Sequence, residues 1–308
     1  MKNRMIRTAA ATGMLTAASV IAMSAAFADD AAKGPWDISA NVGVVSNYIW
    51  RGVTQTGDQA AVQGGFDVAH ESGFYIGTWA SNIDWDNGAQ DVSTTVTGTV
   101  VGATDDDGNP LLDANGYPVP LRDADGNIVI TGTGEGATGG DPSPNYELDL
   151  YAGYDYAVND DLSFGVSGIY YAYPDGRDAD FAEVGLSGTY KWFTLGAAYT
   201  VYGENDGGLF DDGDWYFYGS AEFSLPYDIG FGVRGGYYDF RFDDVPVGVD
   251  AAGNTITESA DYWSYGATIS KSAGDFGTFS LNWDQNSGNQ KVGYDPDPKF
   301  WVGWNKEF

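Results

Sequence analysis

Residues 146–158 read YELDLYAGYDYAV. In an extended chain Tyr146, Leu148, Leu150, Ala152, Tyr154, Tyr156 and Val158 share one face. Glu147, Asp149, Tyr151, Gly153 and Asp155 share the other. Apolar and polar residues alternating with a period of two describe a two-faced strand; a helix would bring residues three and four apart together. Residues 193–202, FTLGAAYTVY, repeat the pattern, with Phe193, Leu195, Ala197, Tyr199 and Val201 set against Thr194, Gly196, Ala198, Thr200 and Tyr202.

Working outward, the same reading predicts twelve strands, near 36–50, 60–70, 74–85, 145–158, 161–173, 181–191, 193–203, 214–225, 229–241, 261–271, 275–285 and 299–308. Their connections alternate in length. His70-Glu71-Ser72-Gly73, Asn159-Asp160, Lys191-Trp192, Pro226-Tyr227-Asp228 and Ser272-Ala273-Gly274 are short, whereas 51–59, 86–144, 174–180, 204–213, 242–260 and 286–298 are longer and more acidic. Short turns at one end and long loops at the other are the pattern of an all-β, closed antiparallel transmembrane β-barrel, with periplasmic turns and extracellular loops; an even strand number puts both termini on the short-turn side. One face of each strand is apolar and is expected to meet lipid. The other is polar, a poor dry core but a suitable lumen lining. Lipid offers no partners to free backbone groups, so the sheet is expected to close.

The tryptophans gather at strand ends. Trp50, Trp85, Trp215, Trp263, Trp283 and Trp301 sit beside the predicted long loops, and Trp36 and Trp192 sit at the opposite end. Two such bands are expected to be membrane-interface girdles.

The chain opens with Lys2, Arg4 and Arg7, an apolar run from about Thr8 to Met23, and Ala26-Phe27-Ala28 before Asp29-Asp30. That order predicts a secretory signal peptide over 1–28, cleaved after Ala28, leaving 29–308 as the barrel. The chain has 44 acidic and 14 basic residues, for a formal charge of −30. Losing the leader removes three cations and no anion, which takes the charge to −33. Such a chain offers no basic patch, so nucleic acid is excluded as a partner. With no cysteine there is no thiol nucleophile and no thiolate metal site. Aromatics make up 15% of residues and glycine numbers 44, as suits a secreted or membrane β-protein.

The last residues, 300–308, are FWVGWNKEF, with Phe300, Val302, Trp304 and Phe308 on one face and Lys306 the exception. A terminal Phe after alternating apolar residues resembles the C-terminal signal of bacterial outer-membrane proteins. The resemblance makes the barrel-assembly machinery an expected partner, with Phe308 the assembly signal. Lys306 departs from that pattern and is expected to snorkel at the membrane edge.

SNYIWRGVTQ (Ser46–Gln55) and GFYIGTWASN (Gly73–Asn82), with ELDLYAGY (Glu147–Tyr154), resemble the TorF-type porin family, also called Gcw_chp. The resemblance covers the predicted mature chain apart from 86–144. It implies a bacterial outer-membrane barrel and a pore, and names no substrate.

Arg51 follows Tyr-Ile-Trp in that motif. If Tyr48 and Trp50 meet lipid, Arg51 points into the lumen. Its expected partners are Asp67, Asp149, Asp155, Glu183, Glu222 or Asp284, since a guanidinium fork suits carboxylates. Two roles are open: a structural tie of the first hairpin, or, with Arg234, a cationic strip facing an acidic wall. The pore-lining set is read as Arg51, Asp67, Glu147, Asp149, Asp155, Glu183, Glu222, Arg234 and Asp284. Asp37, Asp214, Glu307 and Lys191 are also assigned inward. Carboxylate rings favour cations, so small solutes or cations are expected to pass. Inward Tyr151, Tyr171, Tyr216, Tyr218 and Tyr238 are expected to narrow the lumen. Twelve strands lie between the filled eight-stranded and open sixteen-stranded barrels, so a narrow pore and a plugged barrel both stand.

The stretch 86–144 carries ten acids against Arg122 alone and contains DDDGNP (Asp105–Pro110), DANG (Asp113–Gly116) and DADGN (Asp123–Asn127). Asp-Gly and Asn-Gly are hairpin turns, predicting an extracellular loop or β-arm that either stands outside or folds into the lumen. The calcium-loop spacing is not met, so no metal site is assigned, and no cofactor. The single histidine, His70, precedes Glu71 and Ser72. Neighbours on a strand face opposite ways, so these three make no triad and no enzyme is predicted. The reading is an outer-membrane, porin-like channel for passive diffusion. The alternative is a closed barrel that serves as an anchor or binds at the surface through its acidic loops.

Overall fold

The computed structural model describes residues 34–85, 99–100, 130–131, 143–205, 208–242, 244–249 and 254–308. The predicted leader 1–28, and all of 86–142 except two dipeptides, lie outside the described residues. Two compact units are distinguished, one of residues 1–91, 141–245 and 258–308, the other of 92–140 and 246–257.

The first unit holds a closed barrel. Its strands are β1 (Trp36–Val45), β4 (Ala61–His70), β5 (Phe74–Asn82), β8 (Tyr146–Asn159), β9 (Leu162–Ala172), β10 (Phe181–Tyr190), β11 (Phe193–Gly203), β12 (Trp215–Leu225), β13 (Ile229–Asp239), β16 (Tyr262–Ser272), β17 (Thr278–Asn286) and β18 (Lys299–Glu307). Each pairs antiparallel with the next, and β18 returns to β1 with Asn41 opposite Glu307 and Val45 opposite Gly303. The other strands are short. β2 (Ile49–Trp50) pairs with β3 (Val53–Thr54), β6 (Thr99–Val100) with β7 (Ile130–Thr131), and β14 (Asp244–Val249) with β15 (Thr255–Ser259).

All twelve predicted barrel strands are present, and the first departs most from its predicted extent. It leaves the wall at Val45 rather than continuing to residue 50. The short connections are 71–73, 160–161, 191–192, 226–228 and 273–277, and the long ones fall at the other end.

Alternation decides which side each residue takes. Ile38, Val62, Phe66, Ile76, Leu150, Phe164, Leu186, Leu195, Phe217, Ile269, Leu281 and Val302 are all exposed on the outer face. A continuous apolar belt of this kind far exceeds the few hundred Å² a soluble monomer shows water. A ten-residue strand extends about 33 Å, and at a tilt of about 40° it spans the roughly 25 Å apolar band of a membrane barrel. The buried residues of the inner face include Gln63, Ser81, Glu147, Asp149, Ser167, Glu183, Thr200, Ser264, Thr268, Asn282 and Asp284.

Candidate functional site in the barrel lumen

At Ser46 the chain turns off the wall and enters the barrel at the long-loop end. Ser46 marks the exit, exchanging backbone bonds with Val302 (Ser46 N to Val302 O, 2.9 Å) while its Oγ accepts from Val302 N at 3.0 Å. The next residues form a tight hairpin. Trp50 pairs with Val53, and the two residues between them, Arg51 (φ 48) and Gly52 (φ 83), are both left-handed. Two central residues with positive φ are what a two-residue type I′ hairpin requires. Glycine takes that conformation freely; arginine does so rarely and at a cost. Gly52 is doubly constrained, because a Cβ there would lie 2.9 Å from Ser264 Cβ.

Polar residues of the motif bind the hairpin internally. Asn47 Oδ1 accepts from Thr54 Oγ1 (2.7 Å), Asn47 Nδ2 donates to Asp58 (2.7 Å), and Tyr48 N donates to Thr56 Oγ1 (3.2 Å). Gln55 N donates to Tyr48 O at 2.7 Å, and Trp85 Nε1 donates to Gln55 Oε1 at 3.1 Å. As a result Tyr48 is 1% exposed, and Ile49, Trp50, Arg51 and Val53 are each 6% exposed.

The wall receives the hairpin with carboxylates and aromatic faces. Arg51 meets Glu183 as a two-pronged pair, Nη1 to Oε1 at 2.8 Å and Nη2 to Oε2 at 2.6 Å. The same guanidinium lies 4.1 Å from the Tyr216 ring centre, 4.3 Å from Trp50 and 5.0 Å from Tyr238, within cation–π range. Tyr171 donates to Glu183 at 3.3 Å. Glu147 accepts from Tyr48 (2.9 Å) and Tyr173 (3.2 Å). Trp50 packs among Tyr171, Phe181, Phe210 and Tyr238, and Tyr48 meets Trp79 edge-on at 5.5 Å. Asn286 Nδ2 donates to Gly52 O at 2.9 Å.

Burial alone lowers the proton affinity of Arg51, but the facing Glu183 carboxylate outweighs it and holds the guanidinium above its usual range. Burial raises the Tyr48 and Tyr173 phenols well above theirs, and the charges of Glu147 and Asp149 add to it. All three groups therefore keep their protons at neutral pH.

Two more loops complete the filling at this end. Leu209 and Asp211 are buried, and Asp214 ties their loop by accepting from Phe210 N and Arg241 N, both at 2.8 Å. Val292 and Tyr294 are buried on the 287–298 connection.

The short-turn half of the inner face is built differently. Ser163, Gly165, Gly185, Ser187, Thr194, Gly230, Gly232, Ser270, Ser280 and Gly303 line it in alternation with the outer face. Three tyrosines here lie over glycines of neighbouring strands. A Cβ on Gly77 would meet the Tyr151 ring at 2.5 Å, and one on Gly153 would meet the Tyr75 hydroxyl at 2.3 Å. Gly196 sits likewise under Tyr218, and in the filled half Gly236 sits under Tyr216. Tyr151 and Tyr218 were expected to narrow the lumen. Instead the glycines give their rings a place along the wall. Asp67, which accepts from Tyr151 at 2.6 Å, and Asp155 and Glu222 belong to this half. Arg234 is bound to Asp284 through Nη2 (2.6 Å to each oxygen), and donates to Thr268 at 2.9 Å.

The candidate lining residues thus divide. Arg51, Glu147, Asp149 and Glu183 are drawn together in the filled half, Arg234 and Asp284 form a pair below them, and Asp67, Asp155 and Glu222 face the other half. Arg51 reaches the interior by a route other than the predicted one. Trp50 and Arg51 are both inside, because the hairpin is enclosed on every side and alternation no longer separates lipid from lumen.

Three of the girdle tryptophans are corrected in the same way. Trp50 belongs to the inserted loop. Trp301 is 2% exposed and faces inward, where Nε1 donates to Asp284 at 2.8 Å. Trp85 leans on Tyr173, with ring centres 4.8 Å apart, and is held by Gln55. Trp36, Trp192, Trp215 and Trp263 are exposed, and Trp283 is half-buried on the outer face beside Tyr265. Lys191 is a turn residue (φ 56) 3.7 Å from Asp161, not a lumen group. His70 stacks on Trp36 at 4.5 Å and bonds Ser72 Oγ at 2.9 Å. Phe308 is exposed, and its backbone N–H donates to Ala40 O at 2.8 Å. The partners of the loop that sequence alone did not indicate include Trp79, Tyr173, Phe181, Phe210 and Asn286.

The inserted hairpin and the strands on either side of it carry the motif that sets this chain apart. Residues 29–106 match the Gcw_chp family. That family is described as bacterial protein of unknown function (Gcw_chp). Among solved structures the KdgM porin is similar at TM-score 0.46 and 8% identity, over 88% of this chain and 99% of its own. The NanC porin gives 0.43 and 8%, over 87% and 98%. Pseudomonas aeruginosa OprD gives 0.37 and 11%, over 90% and 67%. No curated protein matches the chain.

Proposed function

We propose that the protein is a porin-like channel of the bacterial outer membrane, passing small solutes or ions by passive diffusion with a preference for cations. The observation that carries this reading is the charge of the short-turn half of the lumen. Asp67, Asp155 and Glu222 face it, and the nearby cation, Arg234, is neutralised by Asp284. Rings of carboxylates admit cations and repel anions. The Trp36 and Trp192 end is read as periplasmic, and Trp215, Trp263 and Trp283 as the outer girdle. A signal peptide over 1–28 and Phe308 as the assembly signal complete the export reading.

The test is single-channel recording of refolded protein in a planar bilayer under a KCl gradient. Small discrete steps with a cation-selective reversal potential are expected, since the inserted hairpin occupies the long-loop half. Anion selectivity contradicts the charge assignment.

That occupied half also favours a second reading, a closed barrel acting as an anchor or binding at the surface through its acidic loops. Absence of steps from protein shown to be a folded barrel selects it.

A further inference from the structure

Arg51 is borne by a loop, yet every group that holds its charge, except Trp50, belongs to the wall. Glu183 supplies both carboxylate oxygens, and Tyr216 and Tyr238 supply ring faces at 4.1 and 5.0 Å. A carboxylate fork beneath a planar cation, with aromatic faces beside it, matches the geometry and the weak hydration of guanidinium better than those of a bare metal ion.

We propose that Glu183, Tyr216 and Tyr238 form a binding site for small organic cations of the guanidinium class, and that Arg51 fills it as a tethered occupant while the loop is inserted. A tethered ligand binds at high effective concentration, so the wild-type site is closed to free solute. The inference rests on the loop's position and not on conduction.

The test uses the refolded, full-length Arg51→Ala barrel in detergent. Guanidinium chloride is titrated in the millimolar range against matched sodium chloride, with intrinsic tryptophan fluorescence as the readout, because Trp50 borders the vacated place. A saturable response to guanidinium is expected, with half-saturation at least about tenfold below that for sodium, equivalent to about 1.4 kcal/mol. Wild type is expected to give none, and adding Glu183→Gln to Arg51→Ala is expected to abolish it. Equal responses to the two salts, no response in Arg51→Ala, or a response that survives Glu183→Gln overturns the proposal. If Arg51→Ala does not refold, its refolding yield is measured with and without millimolar guanidinium. Rescue by guanidinium and not by sodium supports the site, and no rescue overturns it. None of these readouts requires current, so a silent bilayer counts against the channel reading alone.

Discussion

The two halves of the lumen are lined by the same strands with the same alternation, and yet they differ in kind. At the long-loop end Tyr48, Trp50 and Arg51 fill the space between Glu147, Glu183, Tyr171 and Tyr238, and carboxylates bind the Tyr48 hydroxyl and the Arg51 Nη groups. At the short-turn end the inner face is mostly glycine, serine and threonine, Tyr75, Tyr151 and Tyr218 lie over glycines, and the Asp155 carboxylate lies over Gly165. Strand alternation makes a wall. Whether that wall encloses solvent or a packed interior depends on a fifteen-residue connection, 46–60, that leaves the wall instead of extending it.

If this contrast is right, substitutions should fall into two groups. The largest effect is expected for Arg51→Ala, which strands Glu183 inside the filled half. Breaking a buried pair on one side costs about 3–5 kcal/mol, and urea unfolding of the refolded barrel should show it. Tyr48→Phe leaves one oxygen of Glu147 without its donor and should cost about 1–3 kcal/mol in the same assay. A loss below a few tenths in either variant would mean that the loop is not seated as described.

The open half should answer to different changes. Gly77→Ala drives a methyl group into the Tyr151 ring and Asp67 and is expected to cost about 1–3 kcal/mol by overpacking, with Tyr151→Ala restoring the lost stability in the double variant. The smallest stability effect belongs to Asp155→Asn, expected within about 0.5 kcal/mol. It should nevertheless lower cation selectivity in the bilayer. Unchanged selectivity in that variant would remove Asp155 from the conduction path.

Much of the barrel was legible because each strand must show lipid an apolar face and the interior a polar one. The end of the first strand was not. Asn47, Tyr48, Ile49, Trp50 and Arg51 continue a two-residue rhythm through the inserted hairpin, so periodicity carries no mark where the chain leaves the wall. The mark that does exist is Arg51-Gly52, a two-residue turn without the Asn or Asp that usually announces one. Trp301 was legible in part. Phe300, Val302 and Trp304 face outward, which puts Trp301 inward by parity, and only its position beside a long loop suggested a girdle. Its indole N–H needs a partner when buried, and Asp284 provides it. The seating of Tyr75 and Tyr151 on Gly153 and Gly77 was hidden for another reason. It depends on cross-strand register, which no single strand contains.

The central claim is that residues 47–56 occupy the long-loop half of the lumen. The chain has no cysteine, so one introduced thiol reports one place. Val53→Cys puts that thiol on the inserted hairpin with little change of volume, and Ser72→Cys on an exposed turn serves as control. Labelling of the folded barrels with a bulky polar maleimide is the measurement. The account predicts that Ser72→Cys labels quickly and Val53→Cys only after unfolding. Rapid labelling of Val53→Cys in the folded barrel would contradict it.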